Sequence, residues 1–248
     1  MPTIYLSPSA VGYSEITGEE NDEGYLTDQI TNAMEPYLSA SGIVFGRNQP
    51  GMTAEEAIQA SNAGMYDVHL ALISEDLPSS TGSAPGVTDI FYRSGDENSE
   101  RLAKIIANNL QTLIPAPAII RAVPSRALAE VAQTRAPATL VEIAYRGSPE
   151  STDWIQNNIN NIARNLALSI TQYFDVPYIE PAPARPATVD LTSGQLNIRA
   201  RPAYDAPVVA TAQDGDPVSV LGEWNHWFLL RHDDHVGYAR SEYITLNY

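Results

Sequence analysis

Hydrophobic positions along the first 174 residues switch between two periods. Leu26, Ile30, Met34, Tyr37 and Leu38 recur at helical spacing and predict an amphipathic helix over 23–40. The stretch YDVHLALISED behaves differently. Its residues 68–73 form a near-continuous apolar run with no Gly or Pro, bounded by Gly64 and by LPSSTGSAPG. Such a run predicts a strand buried on both faces, in the middle of a sheet. Further strands are predicted at 3–6, 43–45, 87–92 (with alternating faces), 119–123 and 140–144. Thr53-Ala-Glu-Glu56 reads as a capping box that opens a helix running to Ala60. A helix over 99–113 turns Leu102, Ile105, Ile106 and Leu110 inward. One over 151–174 carries Trp154, Ile155, Ile159, Ile162, Leu166 and Ile170 on a single stripe. This alternation predicts an α/β domain over 1–174, a parallel or mixed sheet with helices on both faces.

The pattern changes after Phe174. Residues 175–188, DVPYIEPAPARPAT, hold four prolines and predict an extended linker. Over 189–248 short apolar runs (LNIRARP, APVVATAQDGDPVSVLGEW, HWFLLRH, HVGYARSEYITL) are divided by Gly, Pro and Asp turns. They predict a small all-β barrel.

Composition narrows the partners. The formal charge is −16, and Lys104 is the only lysine. Nucleic-acid binding needs a positive surface to displace counterions, so nucleic acid is not an expected partner. With no run of 18 apolar residues, no membrane insertion is expected either. Cysteine is absent, which excludes disulfides and thiolate chemistry. The opening MPTIYLSPS lacks a basic stretch followed by an apolar one. A leader removed beforehand would put the protein at the wall or outside the cell; otherwise a cytoplasmic location is expected. The loop with Glu19, Asn21, Glu23 and Gly24 imitates a calcium loop, but Ile30 stands where a bidentate Glu is required.

Two resemblances follow from these residues. Asn197-Ile-Arg199 with Pro202, the Gly215-Asp216 turn, Trp227, and Gly237-Tyr238 with Tyr243 make 189–246 resemble a bacterial SH3 domain of the cell-wall type. Residues up to Phe174 resemble the zinc-dependent N-acetylmuramoyl-L-alanine amidases of amidase-3 type. The markers are Glu23, YDVHLALIS, GVTDIFY and APATLVEIAYRGSPE. The second resemblance implies hydrolysis of the amide between lactyl-muramic acid and L-alanine. Zinc would be held by two His and one Glu, with a second Glu as base. The metal Glu falls on Glu23 and the general base on Glu142. The two His positions fall on Ala10 and Ile73. Neither residue can ligate a metal, so no zinc cofactor is expected. The first resemblance implies binding to peptidoglycan stem peptide or glycan, with Trp227, Tyr238 and Tyr243 as ligand-binding aromatics.

The residues were also weighed for other chemistry. His69 lies roughly 13 Å along the strand from Ile73 and predicts a core histidine with a backbone partner. Asp233-Asp234 beside His232 and His235 reads as a solvated turn. Glu142 is either a retained base or substrate contact, or a strand-end carboxylate that reaches solvent or pairs with Arg146. Glu23 suits a helix N-terminus on electrostatic grounds alone. The expected function is a wall-associated protein with an amidase fold that acts by binding. An active amidase with a different metal arrangement, and an assembly protein that binds other proteins, are the alternatives.

Overall fold

The computed structural model describes residues 1–8, 23–49, 51–73, 87–114, 119–143 and 149–247. Six strands build the first sheet: β1 (Thr3–Pro8), β2 (Val44–Arg47), β3 (Val68–Ile73), β4 (Val87–Arg93), β5 (Ile119–Ser125) and β6 (Ala138–Glu142). Their order is β2-β1-β3-β6-β4-β5. The ladders β1–β3, β3–β6 and β4–β5 are parallel, and β4 meets β6 antiparallel. The sheet is therefore mixed. β3 lies inside it, with its first five residues buried. Neighbouring residues on a strand point to opposite faces, so both faces are covered at this strand.

Among the described residues five helices accompany the sheet: α1 (Glu23–Ala40), α2 (Ala54–Gly64), α3 (Glu97–Leu113), α4 (Ala129–Ala132) and α5 (Pro149–Phe174). In α1, Leu26, Ile30, Met34 and Leu38 are buried as their spacing predicts. The capping box of α2 forms: Thr53 N donates to Glu56 Oε2 at 2.8 Å and Glu56 N to Thr53 Oγ1 at 3.2 Å. α3 starts two residues earlier than its hydrophobic stripe predicts, because the Asp96 carboxylate accepts from the amides of Asn98 and Ser99 and takes the cap position. Ser99 is thereby buried within the helix, where its hydroxyl accepts from Ala138 N at 3.0 Å. α4 is a single turn, too short to show a hydrophobic period.

β4 differs from the expected strand with alternating faces. Thr88 to Tyr92 are all buried, because α3 and α4 both pack against this strand. Asp89 in its middle is matched by its register partner Arg121. The guanidinium donates through Nε and Nη2 to the two carboxylate oxygens, both at 2.8 Å.

By contact density the chain divides into Thr3–Glu35 with Phe45–Tyr173, and Met1–Pro2 with Pro36–Val44 and Phe174–Tyr248. The second unit holds seven strands: β7 (Arg185–Val189), β8 (Leu196–Arg199), β9 (Val208–Ala212), β10 (Pro217–Trp224), β11 (Trp227–His232), β12 (His235–Arg240) and β13 (Ile244–Leu246). They form one antiparallel sheet in the order β13-β7-β10-β11-β12-β8-β9. Val189, Ile198, Val220, Leu230 and Ala239 are at its core. β7 corrects the expected linker, whose last four residues are strand. Its Pro186 lacks an amide, but its carbonyl still accepts from Asn247 N at 2.9 Å. Gly237 explains itself by space: a Cβ there would come within 2.8 Å of the Arg199 carbonyl oxygen on β8.

Candidate functional site

β1 ends at Pro8 and β3 at Ile73, and ligands of open α/β sheets gather beyond such carboxyl ends. A cavity of about 350 Å³ opens there, lined by Pro8, Asn48, Met52, Thr53, Ile73, Glu130 and Leu140 among others. Its walls are mostly hydrocarbon. Ile73 packs against a small cluster of Ala71, Phe91, Val131 and Leu140, and Leu128 joins the same cluster.

Behind this cavity lies a chain of polar contacts. Ser7 Oγ donates to Glu130 Oε1 at 2.7 Å. His69 Nε2 stands 3.8 Å from Glu130 Oε2, and His69 Nδ1 is 3.0 Å from Ser61 Oγ. The Tyr5 ring stacks on His69 with centroids 5.5 Å apart. Burial, with Tyr66 and Glu130 adding to it, pushes the Tyr5 phenol up to about 12. Ser61, His69 and Glu130 are the residue types of a hydrolytic triad. However, Ser61 is 3% and His69 0% exposed, so no substrate carbonyl can reach the hydroxyl. These groups tie α2 and α4 to the sheet instead. His69 is buried as expected, but its partner is the Ser61 side chain and not backbone.

The residues singled out from the sequence fall as follows. Glu142 closes β6 and is the register partner of Ile73. At 2% exposure it does not reach solvent, which removes that reading, and it is engaged by a neighbouring group. Arg146 and Ala10 lie outside the described residues. Glu23 begins α1. Among the described residues no group of three or more His, Asp or Glu is gathered to hold a metal. In the turn with His232, Nε2 stands 3.6 Å from Asp216 and 3.8 Å from Asp233, and the Asp233 side chain is 84% exposed.

A second groove, also about 350 Å³, lies in the barrel. Trp227, Tyr243, Tyr204, Arg199 and Arg240 line it, together with the 191–197 segment. Tyr238, expected among the ligand-binding aromatics, is 1% exposed and packs against Trp227 and Leu229 in the core. Burial raises its phenol well above the ordinary range. Trp227 is itself 6% exposed and presents little more than an edge. The exposed rings are Tyr243 and Tyr204, the latter held edge-on to Trp227 with centroids 5.3 Å apart. Tyr204, Arg240, Ser7 and Glu130 had no signal in the hydrophobic pattern. Only their polarity beside apolar runs marked them.

Comparison with known proteins matches residues 8–172 to the family described as N-acetylmuramoyl-L-alanine amidase, and residues 194–245 to the bacterial SH3 domain. No protein of curated function matches the sequence significantly. Among solved structures, the fold is similar to the N-acetylmuramoyl-L-alanine amidase AmiC2 of Nostoc punctiforme. That match has 14% identity and a TM-score of 0.57, covering 70% of this chain and 97% of that one. It is also similar to Ami1 from Mycobacterium smegmatis, at 16% identity and a TM-score of 0.57, with 70% and 97% covered. The catalytic domain of CwlV from Bacillus (Paenibacillus) polymyxa follows at 16% identity and 0.55, with 71% and 100% covered.

Proposed function

The chain belongs to the N-acetylmuramoyl-L-alanine amidase family, and we propose that it is a peptidoglycan-associated member that acts by binding and does not hydrolyse. One observation carries this reading. Ile73 stands at the carboxyl end of β3, beside Glu142, at the position to which the resemblance assigns a zinc-ligating His. An alkyl group packed against the Ala71, Phe91, Val131 and Leu140 cluster has no lone pair to offer a metal. Catalytic zinc usually takes three protein ligands. Glu23 with Ala10 and Ile73 supplies one, so the donor set does not fit zinc. Without a metal no bound water has its pKa lowered toward neutrality, and Glu142 has no nucleophile to activate.

Binding then falls to the two grooves. The barrel groove combines aromatic faces with hydrogen-bonding side chains, which suits an extended peptide. Peptidoglycan stem peptide or glycan is the partner that the two domains together support. This reading puts the protein at the cell wall or outside the cell. Among the described residues no helix is long and apolar enough to cross a membrane.

Retention of Glu142, buried at the end of β6, favours a second reading as an active amidase with a different metal arrangement. Incubation with purified sacculi, with and without added zinc, separates the two. Sedimentation without release of stem peptides supports the binding reading. Release of peptides with a free L-alanine amine would replace it with the second.

A further inference from the structure

The barrel groove has a charge unlike that of the rest of the molecule. The chain carries 30 acidic residues against 14 basic ones. Yet no acidic side chain lines this groove, and two arginines do. The Arg240 guanidinium lies 5.6 Å from the Tyr204 ring centroid and 5.8 Å from that of Trp227. Its Nε donates to Glu242 Oε1 at 3.2 Å in an exposed ion pair, which leaves the two terminal nitrogens as its ligand-facing end. Among the described residues, its two terminal nitrogens have no acceptor. Arg199 is anchored through Nη1 to the Ala206 carbonyl at 2.8 Å. Each fork thus has one contact in place before any ligand arrives, which reduces the side-chain entropy lost when one binds. A planar guanidinium with a free end matches a carboxylate with two parallel hydrogen bonds.

The flat surface beside it is equally specific. Tyr204 is 67% exposed and Tyr243 41%, although both are large rings in a small domain. Tyr204 meets Trp227 edge-on and has the Arg240 guanidinium near its ring, and two thirds of its surface stays exposed to a ligand.

We infer that this groove recognises a free carboxylate on a peptidoglycan stem peptide, with Arg240 as the carboxylate-binding residue and Tyr204 as the platform for the adjoining chain. The inference rests on the reading of the barrel as a wall-binding domain and adds the ligand chemistry to it. Charge complementarity selects this ligand over the neutral glycan. A peptide whose carboxylates are amidated would lose the bond to Arg240 while keeping its contacts with Tyr204.

The test uses the full chain and two soluble stem peptides, one with free carboxylates and one with the same carboxylates amidated, titrated calorimetrically. The free acid is expected to bind about tenfold more tightly or better, and the preference is expected to weaken as salt rises. Arg240→Gln should abolish the preference, and Arg240→Lys should restore part of it. Tyr204→Ala should weaken both peptides alike. Equal binding of the two peptides, or an unchanged preference in Arg240→Gln, overturns the inference. Sedimentation of the full chain with sacculi in that case still supports wall binding. Failure of the full chain to bind sacculi or either peptide overturns the inference and the wall reading together. An unrelated peptide with a free terminal carboxylate is the last arm. If it binds as tightly as the stem peptide, the partner is a protein terminus and the inference fails.

Discussion

Ile73 and Glu142 are register partners across the parallel ladder of β3 and β6, and their side chains share one face of the sheet. The backbone joins them further: Ile143 N donates to the Ile73 carbonyl at 2.8 Å. A buried carboxylate and an alkyl group thus stand side by side at the sheet's carboxyl edge. Replacing Ile73 by an imidazole would put a metal ligand next to Glu142 without moving the backbone.

That replacement gives the first prediction. The unmodified protein should carry no stoichiometric zinc after dialysis. Ala10→His and Ile73→His together should create measurable zinc affinity, and either alone should do much less, because two ligands rarely hold the ion against water. Elemental analysis is the check. About one zinc per chain in the unmodified protein, lost on Glu23→Ala, would restore the active-amidase reading.

Ser7→Ala should destabilise the first domain. It removes the hydroxyl that donates to Glu130 at 2.7 Å, at a position 2% exposed. A buried hydrogen bond to a charged group contributes about 1.5–3 kcal/mol. Urea unfolding should therefore show a loss of that order with an unchanged slope. A loss under about 0.5 kcal/mol would show that Glu130 finds another donor.

The capping box should respond to acid. The Thr53 amide, and after it the Thr53 hydroxyl, hold the Glu56 carboxyl below its ordinary 4.5. Because the folded state binds this proton more weakly, the stabilisation is present above the ordinary value and is lost as pH falls through the lowered one. Glu56→Gln should thus reduce stability at neutral pH, and the gap to the unmodified protein should close below about pH 4. Thermal melts at several pH values test this; a gap that stays constant with pH argues against it.

In the barrel, Trp227→Ala and Tyr204→Ala should act in different ways. Trp227 is part of the core, so its loss should cost about 3–5 kcal/mol and impair binding through unfolding. Tyr204 is exposed, so its removal should leave the melting temperature nearly unchanged while reducing sedimentation with sacculi. If sedimentation of Tyr204→Ala matches the unmodified chain, the groove is not where the wall binds.

These outcomes show which parts of the molecule could be read in advance. α1 and α5 announce themselves because a one-sided stripe repeats over several turns. The capping box of α2 is local chemistry, fully written in four residues. β3 stands out because burial on both faces leaves no room for polar alternation. α4 left no such trace, since one turn has no period, and so Glu130, which stands near His69 and accepts from Ser7, was missed. β7 was hidden by proline, whose carbonyl pairs even where its amide cannot. Tyr238 was misassigned, while Trp227 and Tyr243 do line the groove. Tyr238 and Arg240 are two residues apart on β12 and share a side by parity, yet one is core and the other lines the groove. Tyr238 packs on Trp227 and Leu229 while Arg240 stands at the strand's end, and no periodicity records that difference.

The position of β7 between β10 and β13 has a consequence for how the protein is made. The first strand of the barrel finds its outer partner only in Ile244–Leu246, the last strand of this sheet to be synthesised. Until those residues leave the ribosome, β7 has an open edge of unpaired amides and carbonyls, the kind of surface on which nascent chains pair with one another. A chain halted before Ile244 would retain that edge permanently, so premature termination there should yield aggregated product and not a shortened, working barrel.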